Sequence, residues 1–203
     1  MNFMKYSPTR LLFGVGQLNN LREQKLPGKK ALVVISNGKS TKENGYLKRC
    51  EEELNAAGVE NVLFDKVEAN PLKSTVMTGA KCARENNCDF VVALGGGSVM
   101  DASKAIAAMA TNDGDLWDYI NGGTGKGQEL LNNPLPVVAI TTTAGTGSEV
   151  DQWGVVTNEE TNEKIGFGGP DSLYPVLAIV DPELMKSVPA KFTAYQGFDA
   201  LFH

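Results

Sequence analysis

Histidine is almost missing from this chain: His203 is the only one. Imidazole chemistry in these residues therefore rests on a single side chain. Cysteine is scarce as well. Cys50 and Cys82 fall within helical patterns and Cys88 follows one. An odd count, so placed, reads as reduced thiols of a cytoplasmic protein and excludes a disulfide framework or a cysteine zinc site. Basic charge is in deficit, with 19 Lys and Arg against 24 Asp and Glu, which argues against nucleic acid as a partner. No apolar run approaches the roughly 20 residues that a membrane span needs. Met1–Tyr6 lacks the apolar core of a signal peptide, and there are no repeats or low-complexity linkers. What is present is ordinary globular composition, 42% hydrophobic and 21% charged, with length for one large domain or two small ones.

Apolar β-branched runs mark the strands. Ala31–Ile35, Phe90–Leu94, Pro136–Ile140 and Val176–Val180 are continuous runs of the kind buried on both faces of a sheet. Arg10–Phe13 and Asn61–Phe64 are shorter strands. Helical spacing puts Leu47, Cys50, Leu54 and Ala57 on one face of a helix that Gly58 stops. Further helices are expected from Asn70-Pro71 to about Asn86, over 98–111, and after Pro189. Residues 154–157 and 164–167 read as hairpin arms. Strands alternating with helices predict a Rossmann-like, doubly wound parallel sheet with a small hairpin, an α/β fold. Gly14-Val15-Gly16 looks like the opening of a dinucleotide fingerprint, but its third glycine would fall on Asn19, so it reads as a turn.

In such sheets ligands bind outside the carboxyl ends of the strands, and three loops lie there. Gly95-Gly96-Gly97-Ser98 runs from a strand straight into a helix, a seat for phosphate on unpaired amides and the positive end of the helix dipole. The same glycines also make a plain tight turn. Thr141 to Ser148 sets Thr142, Thr143 and Thr146 beside Gly145 and Gly147, and such hydroxyls can bond phosphate, ribose or amide, or simply cap a turn. Asn37-Gly38, followed by Lys39 and Ser40, stands where an acidic residue would favour NAD through the ribose; none is present, which leaves room for NADP. At the other end, Asp199 and His203 are four apart on a helix and share a face. Two side chains alone do not close a metal site.

The runs Gly95–Asp101 with Lys104-Ala105-Ile106, Thr142–Glu149, Asn70-Pro71 and Gly197–His203, in this order, resemble the iron-containing (group III) alcohol dehydrogenases. The resemblance implies an NAD(P)-binding α/β domain, here 1–188, and a metal-binding helical domain of which 189–203 would be the first helix. It implies NAD or NADP contacts from Gly38, Ser40, Asn70, Gly96, Gly97, Ser98, Asp101, Thr142, Thr143, Thr146, Lys164 and Leu177. Asp199 and His203 match the first two metal ligands, for Fe2+ with Zn2+ as the alternative. Two further histidine ligands follow in the family and none follows here, so this chain alone is expected to hold a cofactor fold but not to turn over substrate. The implied reaction interconverts a small primary alcohol and its aldehyde, with no nucleic-acid or membrane partner and a homodimer as one assembly. A glycerol dehydrogenase, a dehydroquinate synthase-like enzyme and a non-catalytic nucleotide-binding fragment stay open. No residue is an evident general base. Asp151 departs from the neutral hydroxyl residue many relatives carry, and its carboxylate is expected either to alter nicotinamide contacts or to face solvent.

Overall fold

The computed structural model describes residues 6–203. The signal-peptide reading of Met1–Lys5 lies outside them. The apolar runs become β1 (Arg10–Phe13), β2 (Lys30–Ser36), β3 (Glu60–Val67), β4 (Phe90–Gly95), β5 (Val137–Thr141), β6 (Trp153–Asn158), β7 (Glu163–Gly168) and β8 (Leu177–Val180). The helices are α1 (Ser40–Glu43), α2 (Tyr46–Ala56), α3 (Lys73–Glu85), α4 (Gly97–Thr111) and α5 (Ala190–Phe202), with short 3-10 turns between. Six strands pair in parallel in the order β1-β8-β5-β4-β2-β3, while β6 and β7 form the separate antiparallel hairpin. The chain leaves β2 for β3 at one edge, then returns to the far side of β2 with β4. The switch point of the sheet therefore lies between β2 and β4, beneath the loops after Ser36 and Gly95.

Period-two alternation divides the core into two layers. Leu32, Val34, Val91, Ala93, Val137 and Ala139 face α3 and α4. Ala31, Val33, Ile35, Val92, Leu94, Val138, Ile140 and Ile179 face α2 and the 3-10 turn at Leu18 and Leu21. The four inner strands β2, β4, β5 and β8 are covered on both faces, which explains why their runs are continuous rather than alternating. In the first layer α3 and α4 approach at Gly79, where a Cβ would come within 2.5 Å of Ile106 Cδ1.

Two buried carboxylates fix the remaining connections. Asp181, fully buried after β8, accepts N–H bonds from Gly16 (3.1 Å), Leu18 (3.1 Å) and Glu183 (3.0 Å). Gly14 and Gly16 have φ of 143° and 79°, so this glycine pair serves a turn that delivers amides to Asp181. Glu53 on α2 takes a forked bond from Arg22, with Nε at 2.8 Å, and its partner guanidinium holds the carboxyl below its ordinary range.

One boundary differs from expectation. Pro71 does not open α3; the helix starts at Lys73 after an extended Leu72. Asn70 sits in the left-handed region at φ 56°, as the residue before a proline is pushed out of the right-handed helical region. The Pro71 carbonyl accepts the Thr157 N–H at 2.9 Å, tying this turn to the hairpin instead.

Candidate functional site

The glycine turn enters α4 directly. Gly96 O accepts from Val99 N at 3.0 Å and Met100 N at 3.1 Å, so the amides of Gly97 and Ser98 precede the first helical bonds and stay available at the positive end of the dipole. The threonine loop lies against this turn. A Cβ on Gly96 would stand 2.7 Å from Thr143 Oγ1, and one on Gly97 2.7 Å from Thr146 Cγ2. Both glycines are thus required by loop packing, whatever the turn binds.

α5 closes the third side. Gln196 Oε1 accepts the Ala144 N–H at 3.0 Å and His203 Nδ1 lies 2.9 Å from Gly145 O. Gly145, at φ 113°, leaves no room for a side chain because Asp199 Oδ2 is 2.5 Å from where its Cβ would be. Asp199 Oδ2 and His203 Nδ1 are 3.9 Å apart. A half-exposed carboxylate and imidazole on one face suit a divalent cation, and among the described residues no third His, Cys, Asp or Glu joins them.

Eight sequence-predicted residues, Asn70, Gly97, Ser98, Asp101, Thr146, Lys164, Asp199 and His203, line one cleft of about 570 Å³, within the size range of cofactor and ligand sites. Lys164 Nζ donates to Asn70 Oδ1 at 2.7 Å, joining the hairpin to the turn before α3. Asp101 Oδ1 accepts from Ser148 Oγ at 2.7 Å and Oδ2 from Val155 N at 2.9 Å; burial nevertheless pushes its carboxyl above the ordinary range. Ser40, Thr142 and Thr143 line a neighbouring pocket of about 340 Å³ with Tyr46 and Leu184. Gly96 lies between the two as a packing surface for Thr143.

Two predicted residues are not brought in. Gly38 is exposed at the end of β2 and lines neither cavity. Leu177 is a correction: it opens β8, pairs with Val138 at the amino end of β5, and is buried in the α2-side core. A parallel sheet gathers its carboxyl ends, and Leu177 stands three residues, roughly 10 Å, from the end of its own strand. Apolar side chains in the pocket with Thr142 and Thr143 are Leu184, Val188 and Phe192, which the sequence did not single out. Asp151 lines the cleft with its side chain part-exposed, and it also has a partner the sequence did not suggest. Its Oδ1 accepts from Lys104 Nζ at 2.8 Å and from Trp153 N at 2.8 Å, as counter-ion to a fully buried lysine.

A doubly wound sheet with a glycine loop at its switch point and a threonine loop after the next strand, β5, defines a Rossmann-like protein with its cleft in the position where that class takes nucleotides. The family model described as iron-containing alcohol dehydrogenase matches residues 8–182, and the chain belongs to that family. It is 41% identical over 202 residues to a probable NADH-dependent butanol dehydrogenase of Bacillus subtilis, covering 100% of this chain and 51% of that protein. It is likewise 41% identical to a 1,3-propanediol dehydrogenase of Klebsiella pneumoniae, over 97% of this chain and 50% of the relative. The crystal structure of NADH-dependent butanol dehydrogenase A from Thermotoga maritima superposes with a TM-score of 0.91 at 33% identity, over 100% of this chain and 50% of that one. A sulfoacetaldehyde reductase from Bifidobacterium kashiwanohense, solved in complex with NAD+, gives 0.85 at 34%, over 98% and 51%. The chain spans about half the length of the curated relatives it matches.

Proposed function

We propose that residues 1–188 are the dinucleotide-binding unit, and 189–203 the opening of the metal-binding part, of an NAD(P)-dependent dehydrogenase that interconverts a small primary alcohol and its aldehyde. The observation that supports this reading is convergence: five separate segments, at Asn70, Gly97–Asp101, Thr146, Lys164 and Asp199–His203, reach one cleft. When bound, the nicotinamide supplies the hydride chemistry and a divalent cation, Fe2+ or Zn2+, supplies Lewis-acid polarisation of the substrate oxygen. The Gly97 and Ser98 amides receive the pyrophosphate on the α4 dipole. Asp101, Asn70 and Lys164 offer fixed acceptors and a donor to ribose or amide, and Thr142, Thr143 and Thr146 offer hydroxyls. Asp199 and His203 hold the cation, whose remaining ligands are not among the described residues.

NADH-dependent relatives favour NAD over NADP, and the free cysteines Cys50, Cys82 and Cys88 suit the cytoplasm. No helix among the described residues is long and apolar enough to cross a membrane. The exposed β1 edge, with Leu11 and Phe13 outward, suits a homodimer. Fluorescence titration with NADH and NADPH tests the cofactor reading: binding of NADH is expected, and binding of neither overturns it. Butanol oxidation with added iron, on this chain and on any longer product of the same reading frame, tests the rest. Turnover is expected only where the metal gains further ligands, and turnover by these 203 residues alone overturns that account.

A further inference from the structure

Lys104 is a buried charge that the proposed chemistry leaves unused. Its side chain on α4 has no exposure, and its Nζ donates to Ser148 Oγ (2.9 Å), Asp151 Oδ1 (2.8 Å) and Trp153 O (2.6 Å). An ammonium has three N–H donors and no acceptor, so its capacity is filled by three segments: the 3-10 turn after the threonine loop, the residue that follows it, and the first residue of β6. Ser148 passes the contact on by donating its hydroxyl to Asp101 Oδ1 at 2.7 Å. Asp101, Ser148, Asp151 and Trp153 all line the 570 Å³ cleft, and Lys104 stands behind them.

We propose that Lys104 is a positioning residue for the dinucleotide cleft: through Ser148, Asp151 and Trp153 it fixes the Asp101 carboxylate and the base of the hairpin, with Asp151 as its counter-charge. This rests on the dinucleotide reading of the cleft. The charged groups facing Lys104 are Asp151, Asp101 and Glu149. Burial pushes the ammonium below its ordinary range, and Asp151 opposes that fall. Without the Asp151 charge, Lys104 releases its proton at lower pH. A neutral amine has two donors for three acceptors, so the hold on Ser148 slackens.

Lys104→Met would strip three acceptors of their donor and threaten folding, so the test uses its neighbours. The dissociation constant for NADH is measured from about pH 6 to about pH 9 for the wild type, Ser148→Ala and Asp151→Asn, with the melting temperature alongside. Ser148→Ala is expected to weaken NADH binding about tenfold at every pH, with a melting temperature close to that of the wild type. Asp151→Asn is expected to bind as the wild type does at the acid end and to lose about tenfold at the alkaline end, where the wild type stays level. Unchanged affinity in Ser148→Ala, or a flat profile in Asp151→Asn, overturns the positioning role alone. Failure of the wild type to bind either NADH or NADPH overturns the dinucleotide reading and this inference with it.

Discussion

α4 and α5 are both rich in apolar residues, yet they have opposite fates. α4 packs on the sheet beside α3 and beneath β6, with ten of its residues buried, from Val99 to Met109. α5 buries none and turns Phe192, Tyr195, Phe198, Leu201 and Phe202 outward, while Gln196, Asp199 and His203 touch the threonine loop. Alanines let α4 approach the strands closely; aromatics on α5 offer surface to which nothing among the described residues is fitted. Composition marks a helix as apolar, but only neighbours decide whether that surface stabilises anything.

The largest effect is expected where α4 is packed. Ile106→Ala should lower the unfolding free energy by about 2–5 kcal/mol through the cavity left behind, while Leu201→Ala on α5 should stay within about 0.5 kcal/mol. Urea denaturation compares them, and equal losses would break the contrast between the helices. Gly79→Ala comes next. Alanine is the better helix former, yet its methyl would meet Ile106 Cδ1 at 2.5 Å, and overpacking should destabilise by about 1–3 kcal/mol. A more stable variant would mean that α3 and α4 can separate cheaply.

On α5 the readout moves from stability to binding. Asp199→Ala and His203→Ala should each weaken binding of Co2+ or Zn2+, followed by calorimetry, by about tenfold or more, because each deletes one of two donors. The unfolding midpoint should hardly shift. A large fall in that midpoint for His203→Ala would show that its bond to Gly145 O holds the fold and not only the site.

The smallest effect concerns pH at a group that is partnered without being packed. Glu163 accepts from Thr124, Thr161 and Trp117, and these bonds lower its carboxyl to about 2. Its folded value lies below the ordinary 4.5, so its contribution is complete above pH 4.5 and is lost as pH falls towards about 2. The melting temperature of Glu163→Gln should lie below that of the wild type at neutral pH, with the gap closing through that window. A gap independent of pH would place the effect in packing rather than ionisation.

The sheet was legible because both-face burial leaves continuous runs, and the hairpin because its arms alternate around a turn. The cleft was legible where chemistry and local geometry coincide, as at Gly97, Ser98 and Asp101. Leu177 misled because apolar character carries no information about which end of a strand a residue occupies. Asn70-Pro71 misled because proline is permitted in a first helical turn, while the tie to Thr157 comes from 86 residues away. Lys104 is the hardest case. Its motif position is plain in the sequence, but its partners lie 44 to 49 residues further on, in a loop with no periodicity.

The pairing of β1 with β8 sets a schedule for the growing chain. Arg10 faces Leu177 across a separation of 167 residues. On a ribosome adding about 5–20 residues per second, β1 waits roughly ten to thirty seconds for β8, its one sheet neighbour among the described residues. During that interval Leu11 and Phe13 lie on a strand without a partner, the kind of segment that recruits other unfolded chains. The sheet closes last where it began first, and Asp181, taking the amides of Gly16 and Leu18, completes that closure.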